Sequence, residues 1–264
     1  MVRLYKLSKN NIMENKIKNT LLVFSGKGGV GKSTVAVNLA IAFTQKGFKV
    51  GLLDADIHGP NLALMLGVQD KVVIPQGENL IMPVQVAKNL SLVSIAYFIP
   101  KLDTPIIWRG PAKMKIIERF VKEVTWGNLD WLIVDSPPGT GDEPLSIAQL
   151  LPKSGAVIVT TPQDVSLLDS KKAINFAKAL KLKIYGIIEN MSGLKCPHCG
   201  DIINLFKEGG GERIAKQYKI PFLGAIPIDP EIVVSSDSGN PLVAGNNSNT
   251  KESFLLIAKK IIKR

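Results

Sequence analysis

Short apolar runs punctuate the chain, and each closes on polar or glycine-rich residues. The first, Leu21-Leu22-Val23-Phe24, stops at Ser25-Gly26. Later runs lie at 50–53, before Asp54-Ala55-Asp56, at 131–134, before Asp135, and at 156–159, before Thr160-Thr161-Pro162. Two more lie at 184–188, before Glu189-Asn190, and at 222–226, before Pro227. Apolar runs this short, with no polar alternation, predict strands covered on both faces. Between them the period changes. Val35, Val37, Leu39, Ala40, Ala42 and Phe43 predict a helix over 33–46, stopped by Gly47. Further helices are predicted at 112–124, 166–180, 212–218 and 252–264, while 239–250 reads as a surface loop. Buried strands alternating with helices predict an α/β fold, a doubly wound, mostly parallel sheet flanked by helices. Ligands of such sheets bind beyond the carboxyl ends of the strands, where these polar closures fall.

Composition narrows the class. The chain has 264 residues, 45% hydrophobic and 21% charged, enough for one large core and a single domain over 20–264. Residues 1–19 are polar and basic, lack the apolar stretch of a secretory signal and are expected to form a flexible arm. No apolar run approaches the roughly 20 residues of a membrane span. Two cysteines cannot build a disulfide scaffold, so a reducing cytoplasm is expected. The net charge of +11 allows an anionic partner and serves solubility equally. The densest helical lysines, Lys171, Lys172, Lys178, Lys181 and Lys183, read as a solvated face, and no nucleic-acid partner is expected. Phe254, Ile257, Ala258, Ile261 and Ile262 could lie on an anionic bilayer, but such stripes usually face a core.

The chemistry begins at Gly26-Lys27-Gly28-Gly29-Val30-Gly31-Lys32-Ser33-Thr34, which fits G-x-x-x-x-G-K-[ST] between a strand and a helix. Glycines let backbone N–H groups turn inward around phosphate, and the helix N-terminus adds positive dipole. Lys32 is expected on the β- and γ-phosphates, the Ser33 hydroxyl on Mg²⁺ and Thr34 on the α-phosphate. Carboxylates end nearby strands. Asp54 and Asp56 stand two residues apart, so they would share a face of an extended segment, and Asp54 is expected to support Mg²⁺ through water. Asp135 heads Asp135-Ser136-Pro137-Pro138-Gly139-Thr140-Gly141-Asp142, whose stiff and flexible residues suit a loop sensing the γ-phosphate. His58 reads as structural or solvated.

Cys196-Pro197-His198-Cys199-Gly200 holds both cysteines. A redox pair would need a helix start at the first thiol, and Gly200-Asp201-Ile202-Ile203 does not read as one. Buried inert thiols would need apolar neighbours, against Lys195, His198 and Asp201. A metal knuckle fits the tight glycine turn. One chain then supplies two ligands where such centres take four. A twofold-related chain is expected to complete the set.

Beyond these readings, the form K-G-G-x-G-K-[ST] resembles the deviant Walker A motif of the MinD, ParA, ArsA and nitrogenase-iron-protein class. That resemblance gives Lys27 a role across a dimer, on the partner's nucleotide. It makes Asp56 the switch residue that positions the attacking water, and Asp135 the Walker B carboxylate on a Mg²⁺-bound water. It sets Asn190 against the adenine edge, with Pro227 and Asp229 lining the base. The wider set is similar to the Mrp/ApbC family, also called the Nbp or Ind group. That set comprises Gly26–Thr34, Asp54-Ala55-Asp56-Ile57-His58-Gly59-Pro60-Asn61, Trp108-Arg109-Gly110-Pro111, Asp135–Asp142, Thr160-Thr161-Pro162-Gln163-Asp164, Glu189-Asn190-Met191-Ser192, the cysteine pair and the stretch 224–230. The family implies a homodimer that hydrolyses ATP slowly, holds a [4Fe–4S] cluster between two Cys-x-x-Cys pairs and passes it to apo-proteins. Residues 1–19 lack the additional cysteines of eukaryotic cytosolic members, so a minimal version is expected. The rivals are a partition ATPase on DNA, a membrane switch, and a regulatory ATPase bridged by zinc.

Overall fold

β1 (Lys16–Ser25) ends in five consecutive buried residues. In this computed structural model, residues 15–71, 75–76, 80–98, 110–196, 198–245 and 248–264 are described. β1 opens before the apolar run. Lys16 pairs with Asn128 and Asn19 with Trp131 of a neighbouring strand, so residues 16–19 belong to the sheet and not to an arm. Register with a neighbour, which local sequence does not encode, recruits these polar positions.

The chain continues through α1 (Lys32–Gln45), β2 (Val50–Asp54) and α2 (Leu62–Met65). The small strands β3 (Pro75–Gln76) and β4 (Leu80–Ile81) precede the hairpin β5 (Val84–Ala87) and β6 (Leu90–Ser94). Then follow α3 (Gly110–Lys122), β7 (Asn128–Asp135), α4 (Asp142–Leu150), β8 (Gly155–Thr160) and α5 (Asp164–Ala179). β9 (Lys183–Glu189) leads to the hairpin β10 (Leu194–Lys195) and β11 (Ile202–Ile203). The chain ends with α6 (Gly210–Tyr218), β12 (Phe222–Ala225), α7 (Pro230–Asp237) and α8 (Asn249–Ile262).

The main sheet runs β12-β9-β8-β1-β7-β2-β6-β5. Its pairs are parallel except β5 with β6 at the edge. β1 is central, and the chain builds first to one side and then to the other. The turn after β1 therefore sits at a switch point, where open α/β sheets leave a crevice. Alternate residues of β1 serve opposite faces. Leu21 and Val23 join Phe43 of α1 and Phe254 of α8, while Leu22 and Phe24 join Ile117 and Phe120 of α3 and Ile147 of α4. In α8, Phe254, Ile257, Ala258 and Ile261 are buried, so the apolar stripe that could have met a bilayer is part of the core. No helix among the described residues is long and apolar enough to cross a membrane.

β6 escapes sequence reading because Ser91 and Ser94 interrupt its apolar run, yet all five of its residues are buried. The expected loop over 239–250 contains a short 3₁₀ turn at Leu242–Ala244, and α8 begins within it.

Candidate nucleotide and metal site

Gly29 and Gly31 have φ of +79° and +81°, so the phosphate loop turns through conformations that L side chains avoid. Gly31 has a second constraint: a Cβ there would stand 2.1 Å from Asn190 Nδ2. That amide donates to the Val30 carbonyl at 2.9 Å. Asn190, expected at the adenine edge, thus braces the phosphate loop from the end of β9. Gly26 packs against the Asp169 backbone of α5, which a Cβ would meet at 2.2 Å. Gly28 has open space around it.

Behind the loop lies a compact charge cluster. Lys32 Nζ donates to Asp135 Oδ1 at 2.6 Å and stands 3.7 Å from Asp56 Oδ2. Ser33 Oγ donates to Asp135 Oδ2 at 2.6 Å. Lys32 and Asp135 are both buried. Burial pushes the Asp135 carboxyl above its ordinary range, and the Lys32 ammonium opposes that shift. A hydroxyl beside a carboxylate is a hard-oxygen donor set that suits Mg²⁺ keeping several waters. Thr34 is half-buried, and its carbonyl accepts from Asn38. Lys27 is half-buried on the loop, and among the described residues no carboxylate lies within ion-pair distance of it.

β2 ends at Asp54, so Asp56 lies beyond the strand. Asp56 turns toward Lys32 and also accepts from Gly59 N at 3.3 Å. Asp54 is fully buried beneath the site, where its Oδ2 accepts from Ser94 Oγ at 2.8 Å and Leu62 N at 3.3 Å. Its Oδ1 has no hydrogen-bond partner. Burial first, and then the Asp135 charge, push its carboxyl from 3.8 up to about 8.

The sign of this shift makes a stability prediction. Unfolded, Asp54 loses its proton near 3.8, whereas folded it keeps the proton to about 8. Between those values the native state holds the extra proton, so stability falls as pH rises and the loss levels off above about pH 8. Asp54→Asn, neutral throughout, is expected to flatten the decline. Urea midpoints of both proteins from about pH 5 to 8 check this, and parallel slopes would assign the decline to other groups.

The segment after β2 and the start of α4 meet through Lys113 of α3. Lys113 Nζ of α3 lies 2.7 Å from His58 Nε2 and 3.0 Å from Glu143 Oε1 at the start of α4. His58 is exposed at 55% but not merely solvated. Trp108 and Arg109 lie outside the described residues.

Asp229 has both oxygens engaged. Oδ1 accepts from Glu231 N at 2.9 Å, capping α7, and Oδ2 accepts from Thr250 Oγ1 of α8 at 2.6 Å. Pro227 and Asp229 line a cleft of about 390 Å³ with Leu194, Lys195, Ile202 and Asn249.

The cysteine pair sits on the hairpin tip. Cys196 N donates to Asp201 O at 2.8 Å and Gly200 N to Cys196 O at 3.0 Å, closing a tight turn in which Gly200 has φ +80°. Pro197 lies outside the described residues. The N–H groups of Cys199 and His198, and then the Cys199 thiol, bear on the Cys196 sulfur and hold its thiol below the ordinary range. Amides converging on one sulfur stabilise a thiolate, the form that binds metal. Strands flank the turn, so the helix start that a redox pair would need is absent there. Both thiols are free. No group of three or more metal-ligating residues occurs among the described residues.

Glu189, to which the sequence assigned no role, closes a buried strand just as Asp54 and Asp135 do. It is fully buried and accepts from Ser192 Oγ at 2.6 Å, Gly209 N at 2.9 Å and Gly211 N at 2.5 Å.

Residues 16–262 match the profile of the ParA family described as NUBPL iron-transfer P-loop NTPase. The chain belongs to this family. Within it, the chain is 49% identical to the iron-sulfur cluster carrier protein of Methanocaldococcus jannaschii, over 96% of this chain and 88% of that one. It is 47% identical to the cytosolic Fe-S cluster assembly factor NUBP2 homolog of Dictyostelium discoideum, over 91% of this chain and 92% of that one. Among solved structures, a nucleotide-binding protein from Archaeoglobus fulgidus, in complex with ADP, superposes with a TM-score of 0.77 at 38% identity, over 89% of this chain and 91% of that one. The septum site-determining protein MinD of Pyrococcus horikoshii, complexed with Mg-ADP, superposes with a TM-score of 0.69 at 26% identity, over 95% of this chain and 97% of that one. This chain thus shares its doubly wound sheet with a MinD ATPase.

Proposed function

We propose that this chain is an ATPase that carries iron–sulfur clusters, holding a [4Fe–4S] cargo between two copies of itself and delivering it to apo-proteins in the cytoplasm. The observation that carries this reading is the Cys196 knuckle, mounted on the same sheet edge as a complete phosphate loop. Two thiols per chain leave a cluster half-ligated, and a second copy supplies the other pair. Exposed apolar side chains around the hairpin support such pairing. Ile202, Leu205 and Phe206 are exposed, as are Val165 and Leu168 of α5, and Lys207 is bonded to Asp164 at 2.6 Å. The cytosolic assembly factors among the relatives support the location.

In this reading ATP binds with its phosphates on the backbone amides of 26–34. Lys32 leaves Asp135 for the β- and γ-phosphates, and Ser33, with Asp135 through a bound water, would hold Mg²⁺, which would neutralise charge on the phosphate oxygens. Asp56 aligns water for attack on the γ-phosphorus, releasing ADP and phosphate. Lys27 of each copy reaches the nucleotide of the other. Asn190 borders the adenine while bracing the loop, and Pro227 and Asp229 border it from β12.

The test is iron and sulfide quantification after anaerobic reconstitution, combined with molecular mass. Four irons per dimer are expected, about the content of one such cluster. A monomer with its full metal load, or a colourless zinc protein, would overturn the reading. Lys27→Ala is expected to bind ATP with little change and to lose at least about tenfold in turnover, as removal of a charge from the transition state does. ATPase rates against protein concentration check it, and normal turnover would remove Lys27 from the reaction.

A further inference from the structure

Glu189 and Asn190 stand side by side at the end of β9 and hold opposite things. Asn190 grips the phosphate loop at Val30, and its own N–H donates to Thr160 O at 2.7 Å. Glu189 grips Ser192, at the foot of the hairpin that carries Cys196 and Cys199, and the Gly209 and Gly211 amides that open α6. Met191, between Asn190 and Ser192, has φ +57°, a left-handed conformation that persists when its surroundings dictate it. The hairpin foot is tied further to the segment after β12, with Ser192 N donating to Ile226 O at 2.9 Å and Ile228 N donating to Gly193 O at 2.8 Å.

We propose that Glu189 is a positioning residue which, through Ser192, links the phosphate loop held by Asn190 to the thiol hairpin, so that the bound nucleotide sets how Cys196 and Cys199 are presented. The space at Gly31 explains why movement is passed on. Asn190 Nδ2 already fills the position a Cβ would take, so a shift of Val30 or Gly31 on phosphate binding displaces Asn190. Close-packed interiors transmit such displacements instead of absorbing them. α6 serves as the fixed anchor, because two of the three donors to Glu189 are its opening amides, and Ser192 is the strut to the hairpin. The purpose of the linkage rests on the carrier reading, but the linkage itself belongs to the chain and needs no cluster.

The test uses the full-length, cluster-free protein. Alkylation of Cys196 and Cys199 by iodoacetamide is timed by mass spectrometry with and without Mg-ATP. Wild type is expected to show rates differing at least about fivefold between the two states, the lower end of ordinary coupling between sites. Ser192→Ala removes the strut while leaving Glu189 on α6. It is expected to bring the ratio to about one, with kcat and KM for ATP within about twofold of wild type, a split that a general loss of structure would not produce. Equal rates in wild type with and without nucleotide would overturn the proposal. So would an intact ratio in Ser192→Ala, or turnover that falls together with the ratio. Wild type that responds to Mg-ATP in this assay but assembles no cluster would sink the carrier reading and leave the linkage standing.

Discussion

Lys32→Ala is expected to lower ATP turnover at least about a hundredfold, the scale on which a preorganised charge at a transition state counts. Two losses combine. The first is the cation that answers the charge of the β- and γ-phosphates. The second falls on Asp135, which burial already pushes upward and which Lys32 counters from 2.6 Å. Without the ammonium that carboxyl shifts further toward its protonated form and becomes a poorer oxygen donor for Mg²⁺. Breaking one side of a buried ion pair also costs roughly 3–5 kcal/mol of stability. The measurement is therefore turnover alongside the urea midpoint, with Asp135→Asn as the partner variant. Near-normal turnover in folded Lys32→Ala would remove the loop from the chemistry.

Cys196→Ala, and separately Cys199→Ala, is expected to abolish cluster assembly while sparing the ATPase core. In the proposed dimer the change would strip two of four ligands from the shared centre, because each copy would lose one thiol. Nothing in the sheet depends on either residue, since Cys196 is half-buried and Cys199 exposed at a hairpin tip. Cys196 is the more demanding position, as the Cys199 and His198 amides converge on its sulfur. Iron, sulfide and ATP turnover measured on the same preparations separate the two functions. A full iron complement in either variant would move the cargo site elsewhere.

The parts of the site that a local pattern encodes were legible in the sequence. Gly26 to Thr34 carries its own geometry, since glycines, a lysine and a hydroxyl at fixed spacing between a strand and a helix admit little else. Strands such as β1, β2 and β7 announced themselves because burial on both faces demands unbroken apolar runs. Other assignments rested on rules that the structure limits. Asp54 and Asp56 were paired by an alternation that stops where β2 stops, and one of them lies sealed in the interior. Asp229 is committed to a helix cap and to Thr250, a partner 21 residues away. β6 was hidden by its serines, and the first residues of β1 by their polarity.

The sequence by itself determined six of the strands, the longer helices such as α1, α5 and α8, the phosphate loop and the thiol pair, because each is written in residue types a few positions apart. Only the tertiary structure decided that Asn190 braces the loop, that Lys113 joins His58 to Glu143, that α8 belongs to the core, and that Glu189 ties the hairpin to α6. Most of these contacts join residues far apart in the chain, and the short-range ones at Glu189 depend on how β9 meets β12 and α6. Their existence follows from strand order and packing, which no local spacing specifies.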